Sequence, residues 1–397
     1  MRIITLFAAG LSVMTFSGSA AASPLDAPGV TPKRIKIGIH APTTGAVPLP
    51  ASSVERGADL YFRWLEDKGI EINGRYVDVI LRNDNSSPTQ AEAVCKEMVE
   101  DDDVFLLVGV AGAEQIMACG RYADKAGVPY VSWGASTSGM KKLPRYFATS
   151  MHYGRQASML ADLLVEAHDA LTQQNAIVWP DTPVYRTARD RFKAAMDDRG
   201  ASVDLDRSVP ITAGSAQAQM IASEMAVAGI DNAVFLGRPT FWIQLEGALR
   251  NQGAAVRWAG MAPMLGNDGI VGLMCNQSND ELMAEMLSYV PAFAGRNDYD
   301  DTHDKAMQKL YGVQGDDTTW AGWALGRNLA EMLEAAPRGL TRGNFVRAVT
   351  DATIATGIGP RLRFASGGSF VARKAHLLEA DCADERWHTT KAFVSGF

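Results

Sequence analysis

Short apolar runs alternate with amphipathic stretches along almost the whole chain. IKIGIH (35–40) is a strand, and it breaks into the small-residue loop APTTGAVPLP. VERGADLYFRWLEDKG reads as a helix, followed by a turn and the strand-like INGRYVDVILRND. SSPTQA then opens a second helix. VFLLVG (104–109) is nearly continuous in apolar residues, the pattern of a parallel strand covered on both faces. AEQIMACGRYADKAG follows as a helix ending at Gly127, then the strand PYVSWG and the loop ASTSG. The series repeats with a helix over 156–168, NAIVW, a helix over 188–199, VDLDRSV, a helix over 216–228, DNAVFLG, a helix over 241–252 and VRWAGMAP.

Such βα repetition predicts an α/β protein with a doubly wound sheet made twice. The strand-like then polar segment 145–156 marks the boundary between the two sheets. Beyond Met274 the pattern changes. Acidic NDYDDTHDK (297–305) precedes a long helix, TWAGWALGRNLAEMLEAA, whose stripe of Trp320, Trp323, Ala324, Leu325, Leu329, Met332 and Leu333 buries one face. GIGPRLRFASGGSF and AHLLEAD read as hairpin-type strands.

Residues 1–22 combine one Arg, an apolar run too short to span a bilayer and small residues near Ala20–Ala22, which predicts a signal peptide cleaved near Ala22 and a periplasmic location. No Cys follows the small residues, so a lipoprotein is not expected. The mature chain is long enough for two domains. Its formal charge is −7, or −8 without the positive charge of Arg2, and no Lys/Arg cluster invites nucleic acid or an anionic membrane.

Four cysteines, Cys95, Cys119, Cys275 and Cys382, allow three pairings in an oxidising compartment. Cys95 and Cys119 lie on successive helices, and adjacent helices on one sheet face pair them, leaving Cys275 with Cys382. The alternative is four buried thiols. No CxxC or HxxxH spacing exists, so no metal and no cofactor are expected. Ser138-Gly-Met-Lys141 matches S-x-x-K, but the S-D-N and K-T-G companions of serine acyl enzymes are absent. Walker A, G-x-G-x-x-G, G-x-S-x-G and H-E-x-x-H are absent too, and the chain is read as no enzyme; an exported serine acyl hydrolase is the remote alternative.

GADLYFRWLEDKGIEINGRYVDVILRNDNSSPTQA resembles the opening of the leucine/isoleucine/valine-binding periplasmic proteins of ABC importers. The likeness continues through VFLLVGVAGAEQ, GVPYVSWGAST, DNAVFLGRPTFWIQLEGALRNQG and GIGPRLRFASGG, and it covers nearly the whole mature chain. It implies two α/β lobes joined by three crossovers that close on a small ligand. Lobe one is then 33–149 plus about 280–370, and lobe two 150–279 plus about 371–397. The resemblance also implies a monomeric solute-binding protein that hands its ligand to an inner-membrane permease and ATPase. A sensor of the same fold that signals by closing is the alternative.

The family's ligand loops lie at the carboxyl ends of strands. The first corresponds to 43–50, where Pro50 replaces an aromatic residue. In the second, Ala113 stands where the family usually has a Ser for the ligand carboxylate, although a helix N-terminus there still favours an anion. The third is Gly134, Ala135 and Ser136, with Ser136 as hydroxyl donor. Tyr185 matches an aromatic that closes over the ligand, and Ala262 falls where the family's carboxylate binds the ligand ammonium. An unpaired buried ammonium is costly. With no counter-charge at Ala262 and with Trp133, Trp179, Tyr185, Phe241 and Trp242 in the loops, the expected ligand is amino acid-like at most in outline. An apolar or aromatic carboxylate, or a neutral amide, fits better. Arg238, directly after VFLG, is the candidate anion partner, and Asp84 is expected to fix its own loop.

Overall fold

The computed structural model describes residues 27–42, 51–133, 140, 142–262, 264–279, 281–293, 302–312, 314–364 and 372–397, with side chains 51–56 left aside. The loop 43–50, Gly134–Ala135–Ser136, Ser138 and Lys141 lie outside the described residues.

Five parallel strands form the first sheet: β1 (Arg34–Ala41), β2 (Tyr76–Asn83), β3 (Leu106–Gly109), β4 (Tyr130–Ser132) and β5 (Tyr146–Ala148). Their order is β2-β1-β3-β4-β5, with Ile37 opposite Leu106 and Leu107 opposite Tyr130. Helices α1 (Ala51–Asp67), α2 (Pro88–Glu100) and α3 (Ala113–Lys125) connect them. Every residue of β3 is buried, as its unbroken apolar run requires. Ser87 caps α2 by accepting from the Gln90 amide, with Pro88 preset at the first helical position.

The second sheet begins after α4 (Tyr153–Ala167). It contains β6 (Asn175–Pro180), β7 (Leu205–Val209), β8 (Asn232–Phe235), β9 (Arg257–Met261) and β10 (Ala284–Ser288), linked by α5 (Pro183–Asp198), α6 (Ser215–Ala228), α7 (Pro239–Arg250) and α8 (Asp268–Gln277). These five strands are parallel in the order β7-β6-β8-β9-β10, and the antiparallel β13 (Ala375–Asp381) and β14 (Arg386–Val394) extend that edge. Between β10 and β13 come α9 (Thr302–Tyr311), α10 (Asp317–Glu334), α11 (Arg342–Asp351) and a short ribbon of β11 (Thr353–Ile354) and β12 (Leu362–Arg363).

Several boundaries differ from expectation. The return to the first lobe was expected at about 280, but β10 is still a strand of the second sheet, pairing Met286 with Gly260 of β9. GIGPRLRFASGGSF supplies only the two-residue β12, whereas AHLLEAD pairs with β14, a strand the pattern did not announce. The partly exposed face of β14 dilutes its apolar alternation.

Alternate residues of β6 and β8 enter different cores, as strand geometry demands. Ile177 and Val234 join a core continuous with the first sheet, while Ala176, Val178 and Phe235 pack with Trp242 and Trp258 on the other face. α10 lies against α1 at backbone distance: a Cβ added to Gly57 would stand 2.0 Å from the Thr319 carbonyl oxygen. That crossing fastens the segment after β10 onto the first sheet's helices. Among the described residues, no helix is long and apolar enough to cross a membrane.

Candidate functional site

Strand order reverses between β1 and β3 in the first sheet and between β6 and β8 in the second. At such reversals the loops leave in opposite directions and open a crevice at the carboxyl ends of the strands. The residues just beyond β3, β4, β6 and β10 lie at these carboxyl ends.

On the first sheet's side, Ala113 is the buried first residue of α3, and Glu114 occupies the helix's first turn. Glu114 Oε1 is buried and has no hydrogen-bond partner among the described residues. Trp133 follows β4, is 6% exposed, and its Nε1 is likewise buried without a partner. Its ring meets Tyr289, just past β10, edge to face at 5.1 Å.

On the second sheet's side, Tyr153 opens α4, and His152 caps that helix by accepting from the Gly154 amide at 2.9 Å. Tyr185 lies in the first turn of α5. The two phenol rings stack at 5.8 Å with planes 25° apart. Burial pushes both hydroxyls well above the ordinary tyrosine value; the negative charge of Glu114 adds to this for Tyr185, as do Tyr185, Tyr289 and Glu114 for Tyr153. The charge of Glu114, on the first sheet's helix, thus acts on phenols carried by the second sheet's helices. Tyr289 is also held neutral by burial.

Beneath the strand ends, His40 bridges Asp84 and Tyr130. Its Nδ1 lies 2.9 Å from Asp84 Oδ2 and its Nε2 2.7 Å from the Tyr130 hydroxyl, with all three side chains fully buried. A Cβ at Gly109 would stand 1.9 Å from that hydroxyl, so only glycine leaves room for the contact. Asp84 also accepts from the Ser86 amide at 3.0 Å, which fixes the loop as expected. The group joins β1, β2 and β4 where the crevice opens.

The remaining candidates sit elsewhere. Trp179 donates its indole N–H to Asp206 at 2.8 Å, with the Arg189 guanidinium over its ring at 5.6 Å and Lys193 also on Asp206. That network holds α5 to β7. Trp242 is fully buried and packs edge to face on Trp258 in the outer core, and Phe241 stacks on Phe235. Arg238 precedes α7 at its N-cap position without a side-chain capping bond, and its guanidinium donates to the Ala213 carbonyl at 2.6 Å, so it ties two loops together. Ala262 is partly buried against the outer core. Sequence reasoning missed Glu114, Tyr153 and Tyr289. Glu114 was visible at the start of a predicted helix, whereas Tyr153 lies ahead of the predicted helix 156–168 and Tyr289 follows a strand that the pattern did not reveal.

Two disulfides form, Cys95–Cys119 between α2 and α3 and Cys275–Cys382 between α8 and the end of β13, with Cα separations of 5.9 and 5.3 Å. They match the expected pairing. Asp381, Asp384 and His388 come together on the β13–β14 turn, where His388 reaches Asp384 at 3.1 Å. A cavity of about 620 Å³ lies away from the aromatic crevice, at the starts of α8 and α10, and is lined by Asp268, Asp316 and Asp317. Its lining is mainly polar and acidic, with Leu273 and Phe293 as its large apolar members.

A family model described as "Periplasmic binding protein" matches residues 34–385. The chain is 24% identical over 225 residues to the Leu/Ile/Val-binding protein homolog 1 of Brucella melitensis biotype 1, covering 56% of this chain and 58% of that one. The match therefore spans less than two thirds of the length of this curated relative. Among solved structures, a solute-binding protein of an ABC transporter from R. palustris, in complex with benzoate, superposes with a TM-score of 0.74 at 16% identity, covering 92% of this chain and 98% of its own. The branched-chain amino acid transporter substrate-binding protein LivJ of Streptococcus pneumoniae, in complex with isoleucine, gives 0.71 at 16% identity, covering 90% and 100%. At this identity the two structures share the fold with this chain.

Proposed function

The chain belongs to the periplasmic binding protein family, and we propose that it is the periplasmic solute-binding component of an ABC importer, exported by residues 1–22. Its two lobes, centred on the two sheets, close on a small organic ligand and present it to a membrane permease. The meeting of Trp133 with Tyr289 past the ends of strands from the two sheets, with the stacked Tyr153 and Tyr185 nearby, is the observation that supports this reading. Residues from both sheets converge there, so a ligand that touches all four draws the lobes together and shifts the population toward the closed form.

The relatives are solute-binding proteins, and no reaction is assigned to the crevice. Aromatic walls suit a ligand with an apolar or aromatic body. A thermal-shift screen over amino acids, aromatic acids, amides and amines tests the reading. A ligand at 100 times its dissociation constant adds about 2.7 kcal/mol of stability. Solution scattering of the same sample should show a smaller radius of gyration with the best ligand. Failure of every class of small solute to stabilise the protein would count against the receptor role.

A further inference from the structure

Glu114 is the charged group of the crevice. It stands in the first turn of α3, its Oε1 is buried without a partner among the described residues, and its charge is felt by two phenols across the crevice. Among the described residues, no basic side chain bears on the Tyr185 hydroxyl. Glu114 is half-buried, and among the described residues its buried Oε1 lacks the donor that would replace lost hydration. The stacked Tyr153–Tyr185 pair and Tyr289 add aromatic rings beside Glu114, and aromatic rings attract cations. A second, independent sign of a ligand is the Trp133 indole, 6% exposed with an unpartnered N–H, which calls for an acceptor atom on whatever fills the crevice.

We infer that this crevice selects a ligand with a cationic N–H group, an arylalkyl or alkyl amine carrying an oxygen acceptor, whose ammonium is held by Glu114 among the rings of Tyr153, Tyr185 and Tyr289. The inference rests on the receptor reading above and deepens it. It reverses the polarity that the helix N-terminus at Ala113 suggests. That terminus favours an anion, but Glu114 already supplies one there, and a ligand carboxylate would face a like charge. A benzoate-type acid is therefore rejected, and a primary ammonium gains charge-assisted hydrogen bonds to Oε1 that a quaternary ammonium cannot make. Trp133 acts at the other end of the ligand, donating to its oxygen.

Titration calorimetry on the mature wild-type protein with tyramine, its neutral isostere 4-hydroxyphenethyl alcohol, benzoate and leucine tests the inference. Tyramine is expected to bind at least about tenfold more tightly than the alcohol, and benzoate not to bind. Glu114→Gln should lower tyramine affinity at least about tenfold while the unliganded protein melts no lower than the wild type. Equal affinity for amine and alcohol overturns the inference, and that comparison needs no variant. So does binding of benzoate with none of tyramine, an outcome that leaves the receptor role standing. Tight binding of leucine that survives Glu114→Gln also overturns it, again without harm to the receptor role. If none of the four binds, the cationic assignment falls, and the wider screen then decides the receptor role separately.

Discussion

Trp133 and Tyr289 meet edge to face with ring centroids 5.1 Å apart and planes at 84°. One follows the fourth strand of the first sheet and the other the last parallel strand of the second, so this contact joins the two strand ends across the crevice. Trp133 uses its ring for packing and leaves its N–H without a partner. Trp133→Phe should therefore hold the Tyr289 contact and leave the melting temperature of the unliganded protein within a few degrees. Ligand affinity should fall by roughly five- to tenfold, the worth of one hydrogen bond. Calorimetry with the best ligand from the screen, beside a thermal melt, separates the two effects.

Asp317 and Asp268 form a pair at the starts of α10 and α8. The Asp268 amide donates to Asp317 Oδ2 at 2.9 Å, and the Trp387 amide to Asp268 Oδ1 at 2.9 Å. Burial first, and then the charge of Asp268, pushes the Asp317 carboxyl up to about 7, and burial raises Asp268 as well. The folded protein thus keeps a proton that the unfolded chain, titrating near 4, has already released. Its contribution to stability is full below about pH 4 and is lost as pH rises toward 7. Asp317→Asn keeps an oxygen for the Asp268 amide and removes the charge. It should stabilise by roughly 1–3 kcal/mol at pH 8 and by almost nothing at pH 4. Urea unfolding at the two pH values reads the difference.

The two disulfides close loops of different length, with sequence separations of 24 and 107. In the chain-entropy view a longer loop restrains the unfolded state more, up to about 4.7 kcal/mol near one hundred residues. Replacing Cys275 and Cys382 with Ser should therefore destabilise more than the same change at Cys95 and Cys119. Denaturation of the two double variants ranks them, and alkylation of the unreduced wild type should label no cysteine.

His40 has both ring nitrogens engaged, by Asp84 and by Tyr130, in a place with no access to solvent. Tyr130→Phe deletes one partner and strands His40 Nε2, at a cost of roughly 1–3 kcal/mol. Asp84→Ala should cost more, because it also releases the Ser86 amide. Chemical denaturation at neutral pH measures both.

Most of the fold was legible in the sequence because apolar periodicity is a local consequence of backbone geometry. The run 104–109 had to be a covered strand, and β3 with every residue buried is that strand. Even the cysteine pairing followed from which helices succeed each other. The weakest stretch was 280–397, where β10 carries a charged residue and pairs with strands remote in sequence, and β14 is an edge strand with many exposed positions.

The site was legible only in part. Tyr185 and Trp133 stand at the crevice, but Trp179 and Trp242 carry the same residue type at similar strand and helix ends and are committed to Asp206 and Trp258. A sequence places an aromatic residue at the end of an element. It does not say which face the ring takes, because that depends on the neighbouring strand. Sequence alone determined that this is an α/β chain with its sheet made twice, since each strand and helix is specified by residues a few positions apart. Only the tertiary structure decided that Glu114, Tyr153, Tyr185, Tyr289 and Trp133 share one space. They come from five separate elements, and their meeting is set by strand order and by the packing of one sheet's helices against the other's, which no local pattern encodes.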